Sequence, residues 1–167
     1  VNPAANGKKS PKFLKIAEKR LKERGAEYKI HLTNAPKHAT EIAKKLSESS
    51  DTIIALGGDG TINEVFNGID TEKVKFGIIP CGSGNDFIAS ANIPEDPTAA
   101  VDLILDGEAK PTDYMVCGGV RGLNIIGTGI DVDILKRCRK SKLLKGKLQY
   151  VVSLIISLVK FVFYKFY

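Results

Sequence analysis

Cysteine is scarce in this 167-residue chain, and its three copies, Cys81, Cys117 and Cys138, are odd in number and follow no metal-binding spacing. That argues against a disulfide framework and reads as reduced cytosolic thiols. The two histidines, His31 and His38, stand apart with no cysteine or carboxylate cluster, so neither is assigned a metal. No Gly-x-x-x-x-Gly-Lys-Ser/Thr occurs, which excludes a P-loop; Gly7-Lys8-Lys9-Ser10 lacks the upstream glycine. Gly58-Asp59-Gly60-Thr61-Ile62-Asn63 is a poor dinucleotide fingerprint, because Asn63 replaces the third glycine. The chain shows no repeat, low-complexity tract or signal peptide. Its one long apolar stretch, Leu148 to Tyr167, is interrupted by Lys160 and Lys165 and falls short of a spanning helix.

What is present fits one domain with a good core, and is too short for two full ones. Short apolar runs alternate with helical patterns up to about residue 110, which predicts an α/β fold with a parallel sheet. Ser10 and Pro11 open a helix carrying Leu14, Ala17 and Leu21 that stops at Gly25. The run from Tyr28 to Leu32 reads as a strand. A second helix spans Lys37 to Glu48, and a third opens at Asp96-Pro97 and closes at Gly107. From Thr112 the pattern changes. Met115-Val116-Cys117, Gly118-Gly119 and Leu123 to Ile126 read as an antiparallel hairpin, placing a domain boundary between residues 1–110 and 111–167.

The most informative stretch is Asp51 to Ile69. Ile53 to Leu56 is short and apolar, as in a strand covered on both faces. Glycines follow, and then Ile62, Val65, Phe66 and Ile69 recur on one helical face. A strand feeding a helix through glycines suits phosphate, because backbone N–H groups and the positive helix end can face the ligand. A hairpin turn at Asp59-Gly60 is the competing reading, and the helical period after Thr61 argues against it. A carboxylate in a phosphate turn needs a cation such as Mg²⁺ beside it. Asp59 therefore either holds metal or caps the helix. Thr61 either caps it too or gives its hydroxyl to a phosphate.

A second turn of this kind follows the apolar run Phe76 to Pro80: Cys81-Gly82-Ser83-Gly84-Asn85-Asp86-Phe87. If both runs are parallel strands, both turns lie at the carboxyl edge of one sheet, where such sheets bind ligands. Ser83 could donate to a phosphate, and Asp86 could hold metal or orient Asn85; ordinary turn chemistry also explains all three.

Gly57-Gly58-Asp59-Gly60-Thr61 resembles an element common to lipid kinases, NAD kinases and phosphofructokinases. The extension Asn63-Glu64-Val65-Phe66-Asn67-Gly68, the stretch Ile79 to Phe87, and Val1-Asn2-Pro3 with Gly7 resemble three motifs of diacylglycerol kinase catalytic domains, in family order. The resemblance implies an ATP site. Asn2 would line the cleft, Thr33 would contact ATP, and Gly57, Gly58, Asp59, Gly60, Thr61, Asn63 and Glu64 would cradle phosphates with Gly82 and Ser83. Ser83 stands where the family has threonine and keeps the hydroxyl. Asp59, Asp86 and Asp113 match acidic positions around a magnesium–water network. The family has a strand before its Asn-Pro and a β-rich second domain whose Asp-Gly-Glu activates the acceptor. Asp106-Gly107-Glu108 is not that motif, since it closes a helix. The chain is therefore expected to be truncated at both ends, to begin that second domain, to end in an apolar helix and to lack the general base.

The implied function is an ATP- and Mg²⁺-dependent lipid kinase, with diacylglycerol the foremost acceptor. The alternatives are a soluble-substrate enzyme such as NAD kinase, or a non-catalytic nucleotide- or membrane-binding module. The formal charge is +6, and Lys136, Arg137, Arg139, Lys140, Lys142, Lys145 and Lys147 include no acidic neighbour. Such a run is either a solvated face or a patch for an anionic membrane surface. Nucleic acid is not expected, because aromatic interleaving and binding motifs are missing there. The expected location is cytoplasmic and peripheral at the membrane; a homodimer stays open.

Overall fold

The structure, a computed structural model, describes residues 1–82, 84, 86–127, 129, 132–136 and 147–159. Contacts divide the chain into two compact units, Val1–Asn124 and Ile125–Tyr167. The first unit begins with α1 (Ala5–Lys8), α2 (Ser10–Glu23) and α3 (His38–Leu46). It continues with β1 (Thr52–Gly57), α4 (Asp59–Gly68), β2 (Lys75–Pro80), α5 (Asp86–Ser90) and α6 (Pro97–Asp106), and closes with β3 (Met115–Cys117) and β4 (Val120–Gly122).

β1 and β2 pair in parallel, with Ile53 opposite Phe76 and Gly57 opposite Pro80. The period-two alternation of a strand sends successive side chains to opposite faces. Ile53, Ala55 and Ile78 join Ala39 and Ala43 of α3 and Ile62, Val65 and Phe66 of α4 in one core. Leu56 and Ile79 join Ala17 and Leu21 of α2 and Ala100 and Val101 of α6 in another. Helices thus cover both faces, as the continuous apolar runs require.

The helix ends follow local chemistry. Pro11 sits in the first turn of α2, and beyond its end Gly25 adopts φ +66°, a value that favours glycine. The carboxylate of Asp96 accepts from the Ala99 amide at 2.9 Å and caps α6. Lys37 adopts φ +67° immediately before α3, so that helix begins one residue later than its periodicity suggests.

Two expectations need correction. The segment from Tyr28 to Leu32 is not a strand. Val1 lies alongside it: its amino group donates to His31 O at 2.9 Å and its carbonyl accepts from the Thr33 amide at 2.9 Å. The hairpin forms at Gly118-Gly119, but its return strand is Val120–Gly122 and not Leu123 to Ile126. Both glycines have positive φ, +56° and +77°, so a two-residue turn closes the ladder at once.

In the second unit, residues 132–136 are helical (α7) with Ile134 buried, and α8 spans Lys147–Val159. Ser153 and Ser157 are buried there while Val151, Ile155 and Ile156 are exposed. The basic positions 137–145 and the aromatic tail after Lys160 lie outside the described residues. Among the described residues, no helix is long and apolar enough to cross a membrane.

Candidate active site

The two glycine turns lie together at the carboxyl ends of β1 and β2. Register places Gly57 beside Pro80, and the Cys81 amide donates to Gly57 O at 2.7 Å. A Cβ added at Gly58 would stand 3.1 Å from the Cα of Gly82, and one at Gly84 would stand 2.9 Å from a carboxylate oxygen of Asp59. At Gly58 the two turn backbones approach closely, and a side chain would have to push the second turn back by a few tenths of an ångström. Asp59 consequently lies against the second turn. Ser83, Asn85 and the side chain of Asp86 lie outside what the structure describes.

Gly58 is the residue that caps α4. Its carbonyl accepts from the amides of Thr61 and Ile62 at 2.9 and 3.0 Å, while its own backbone stays extended. Neither Asp59 nor Thr61 is the cap, because both already lie inside the helix, at its first and third positions. The helical period that argued against a hairpin prevails, with Ile62, Val65, Phe66 and Ile69 all buried. Asp59 stays exposed at the helix start. A carboxylate there is stabilised by the positive helix end.

Thr61 is buried, and its hydroxyl accepts from the Asn2 side-chain amide at 3.0 Å. A Cβ at Gly57 would stand 2.6 Å from the Cβ of Thr61. Asn2 is itself fixed: its backbone amide donates to Leu56 O at 3.2 Å and its side-chain oxygen accepts from the Ala4 amide at 3.0 Å. The Asn-Pro segment is thereby bound to the end of β1 and to the first turn of α4.

A cavity of about 370 Å³ is lined by Asn2, Pro3, Ala4, Thr33, Asn34, Ala35, Pro36, Ala39, Thr61 and Glu64. Its volume is in the range of small-ligand pockets, roughly 300–1,000 Å³. Asn2, Thr33, Thr61 and Glu64, expected at one site from distant parts of the sequence, line it together. Asn63 is exposed on α4, and Asp113 is exposed in the segment before β3. Sequence reasoning did not find Asn34 to Pro36 or Ala39, although the Asn-Ala-Pro stretch before α3 is a visible loop signal.

Asp59 suits Mg²⁺, which takes one or two carboxylates and completes its shell with water and substrate phosphates. Among the described residues, no three His, Cys, Asp or Glu side chains gather as a metal cluster. Burial pushes the Cys81 thiol up, with Lys9 partly opposing the shift. A thiol moved in that direction is not an activated nucleophile.

The model of the diacylglycerol kinase catalytic domain matches residues 1–117. The chain belongs to that family. It is 35% identical over 157 residues to a diacylglycerol kinase of Bacillus subtilis, covering 91% of this chain and 52% of that protein. It is 32% identical over 124 residues to sphingosine kinase B of Dictyostelium discoideum, covering 70% of this chain and 16% of that protein. A crystal structure of a diacylglycerol kinase from Bacillus anthracis superposes with a TM-score of 0.71 at 29% identity, over 93% of this chain and 52% of that one. This family member spans about half the length of those two bacterial relatives.

Proposed function

We propose that this chain is the nucleotide-binding part of an ATP- and Mg²⁺-dependent lipid kinase whose foremost acceptor is diacylglycerol. The observation that carries the reading is the cavity that shares Thr61 and Glu64 with the helix opened by the first glycine turn. Family membership supplies the reaction class.

In this reading the base and ribose of ATP occupy the cavity between Asn2, Thr33 and Glu64. The phosphates run along Gly57, Gly58 and Gly60 toward Gly82 and Ser83, where backbone N–H groups and the α4 N-terminus face negative charge. Asp59, with Asp86 and Asp113 by resemblance, would hold Mg²⁺, which neutralises phosphate charge when bound. The acceptor hydroxyl forms a bond to the γ-phosphorus, the bond to the β–γ bridging oxygen breaks, and the hydroxyl proton passes to a base. Catalysis then rests on positioning and charge neutralisation. No group in the glycine turns stands out as that base, so residues 1–110 are read as the donor half and 111–167 as the start of the acceptor half. The basic run from Lys136 to Lys147 is read as a patch for anionic lipid, which suits a peripheral enzyme.

The test is radiolabelled phosphate transfer to diacylglycerol in mixed micelles, by this chain and by the full-length gene product at equal concentration. A base contributes about 10²–10⁴-fold, so this chain should turn over little lipid. Comparable turnover would overturn the assignment of the base beyond these residues.

A further inference from the structure

The far end of α4 carries a second constellation. The side-chain amide of Asn67 donates to Arg121 O at 2.8 Å, and its oxygen accepts from the Arg121 amide at 2.8 Å. In a two-residue hairpin the pair flanking the turn exchanges both ladder bonds and the next pair exchanges none. Cys117 and Val120 flank the turn, and Val116 and Arg121 are the next pair. The N–H and C=O of Arg121 therefore point off the edge of β4, and Asn67 satisfies both as a neighbouring strand would. Arg121 answers from its side chain. It donates to Ile69 O at 2.7 Å and lies 5.1 Å over the Phe66 ring, which also meets Tyr114 edge-on at 5.2 Å and Phe76 at 5.9 Å.

We propose that Asn67 and Arg121 form a clasp that positions the β3–β4 hairpin on α4 for transfer to the acceptor, without contributing to nucleotide binding. This rests on the kinase reading above. α4 spans ten residues, with Asp59 and Thr61 at one end and Asn67 near the other, a rod about 15 Å long. The clasp makes that rod common to the phosphate turn and to the hairpin that follows the nucleotide-binding elements. Asn67 lies two turns from Asp59 and does not line the cavity, so its loss should spare nucleotide affinity. Asn67 and Arg121 are positioning residues.

The variants are Asn67→Ala, which loses both bonds to Arg121 together with the donation to Asn63 O at 2.9 Å, Asn67→Gln, which keeps both groups on a longer arm, and Arg121→Met, which keeps the backbone bonds but loses the bond to Ile69 O and the cation over the Phe66 ring. Amide hydrogen exchange at Arg121 and ATP affinity are read on this chain, and kcat and KM for ATP on the full-length gene product. Asn67→Ala should speed exchange at Arg121 by about tenfold or more, the scale of one or two lost hydrogen bonds. It should lower kcat about tenfold and leave KM for ATP within about twofold. Asn67→Gln should recover part of both losses. Unchanged exchange at Arg121 in folded Asn67→Ala would overturn the clasp, as would ATP affinity falling in step with kcat. If Asn67→Ala does not fold, Arg121→Met decides: kcat lowered at unchanged ATP affinity supports the clasp, and wild-type kcat overturns it. Failure of the wild-type chain to bind ATP would instead refute the kinase reading, leaving the exchange result to decide the clasp.

Discussion

Asn2 and Thr61 are hydrogen-bonded at 3.0 Å across 59 residues of sequence, joining the Asn-Pro segment to the first turn of α4. The bond reaches a buried hydroxyl, so its loss has a cost on both sides. Thr61→Val should destabilise the chain by about 1–2 kcal/mol, because Asn2 loses its acceptor with no shape change to compensate. It should also weaken ATP binding, since both residues line the cavity. Thr61→Ser keeps the hydroxyl and should bind ATP much as the parent does. Thermal unfolding and ATP titration of the two variants check this.

Gly68 and Thr40 provide a prediction in which two effects oppose. Replacing a helical glycine by alanine gains about 1 kcal/mol in propensity. A Cβ at Gly68, however, collides with the backbone carbonyl of Thr40, which cannot swing aside, and Thr40 is further held by its hydroxyl donating to Glu64 O at 2.8 Å. Overpacking of that kind costs about 1–3 kcal/mol. Gly68→Ala should therefore lower the melting temperature. Gly60→Ala, where an added Cβ meets nothing, should leave it level or raise it.

These contrasts show what the sequence could and could not disclose. The apolar period of Ile62, Val65, Phe66 and Ile69 and the helix signals at Ser10-Pro11 and Asp96-Pro97 are local, and the elements form there. The hairpin turn at Gly118-Gly119 is equally local. Its return strand was displaced because positive φ at both glycines starts the strand at Val120. Tyr28 to Leu32 has strand-like alternation, but a strand is defined by its partners, and the residue bonded to His31 O is Val1, which belongs to no strand. Within the site, the glycine turns and Asn2, Thr33 and Glu64 were readable as motifs by resemblance. The loop from Asn34 to Pro36 and the pairing of Asn67 with Arg121 were not, because they depend on tertiary contacts that no local pattern encodes.

Acid should weaken the packing of α2 on α6. Arg20 holds the Asp102 carboxyl below the usual carboxylate range, with Arg24 assisting, and Arg24 does the same for Asp106. The bonds include Arg20 Nε to Asp102 at 2.8 Å and Arg24 Nη1 to Asp102 at 2.6 Å. A carboxylate depressed in the folded state contributes stability above its unfolded pKa, and that contribution is lost as pH falls through the folded value. The loss should begin near the ordinary carboxylate value, about pH 4, and deepen below it. Arg24→Met should lower the melting temperature at pH 7 and make its decline toward low pH shallower. An equally steep decline in the variant would show that other carboxylates dominate.

The basic run should bring the protein to anionic vesicles. Attraction between exposed charges is screened over roughly 8 Å at physiological ionic strength. Co-sedimentation with acidic vesicles should fall as salt rises, and should fall also when Lys140, Lys142 and Lys145 are changed to Gln. Binding indifferent to both changes would point to the apolar tail after Leu148.

Whether Asp59 ties Mg²⁺ to ATP binding is decided by calorimetric titration of ATP into this chain, with and without Mg²⁺, for the parent and Asp59→Asn. The parent should bind ATP in a Mg²⁺-dependent way, and the folded variant should show that dependence weakened, since Asp59 stands against Gly84 where the two turns meet. ATP binding whose Mg²⁺ dependence is the same in both proteins, or no binding by the folded parent, would contradict this reading.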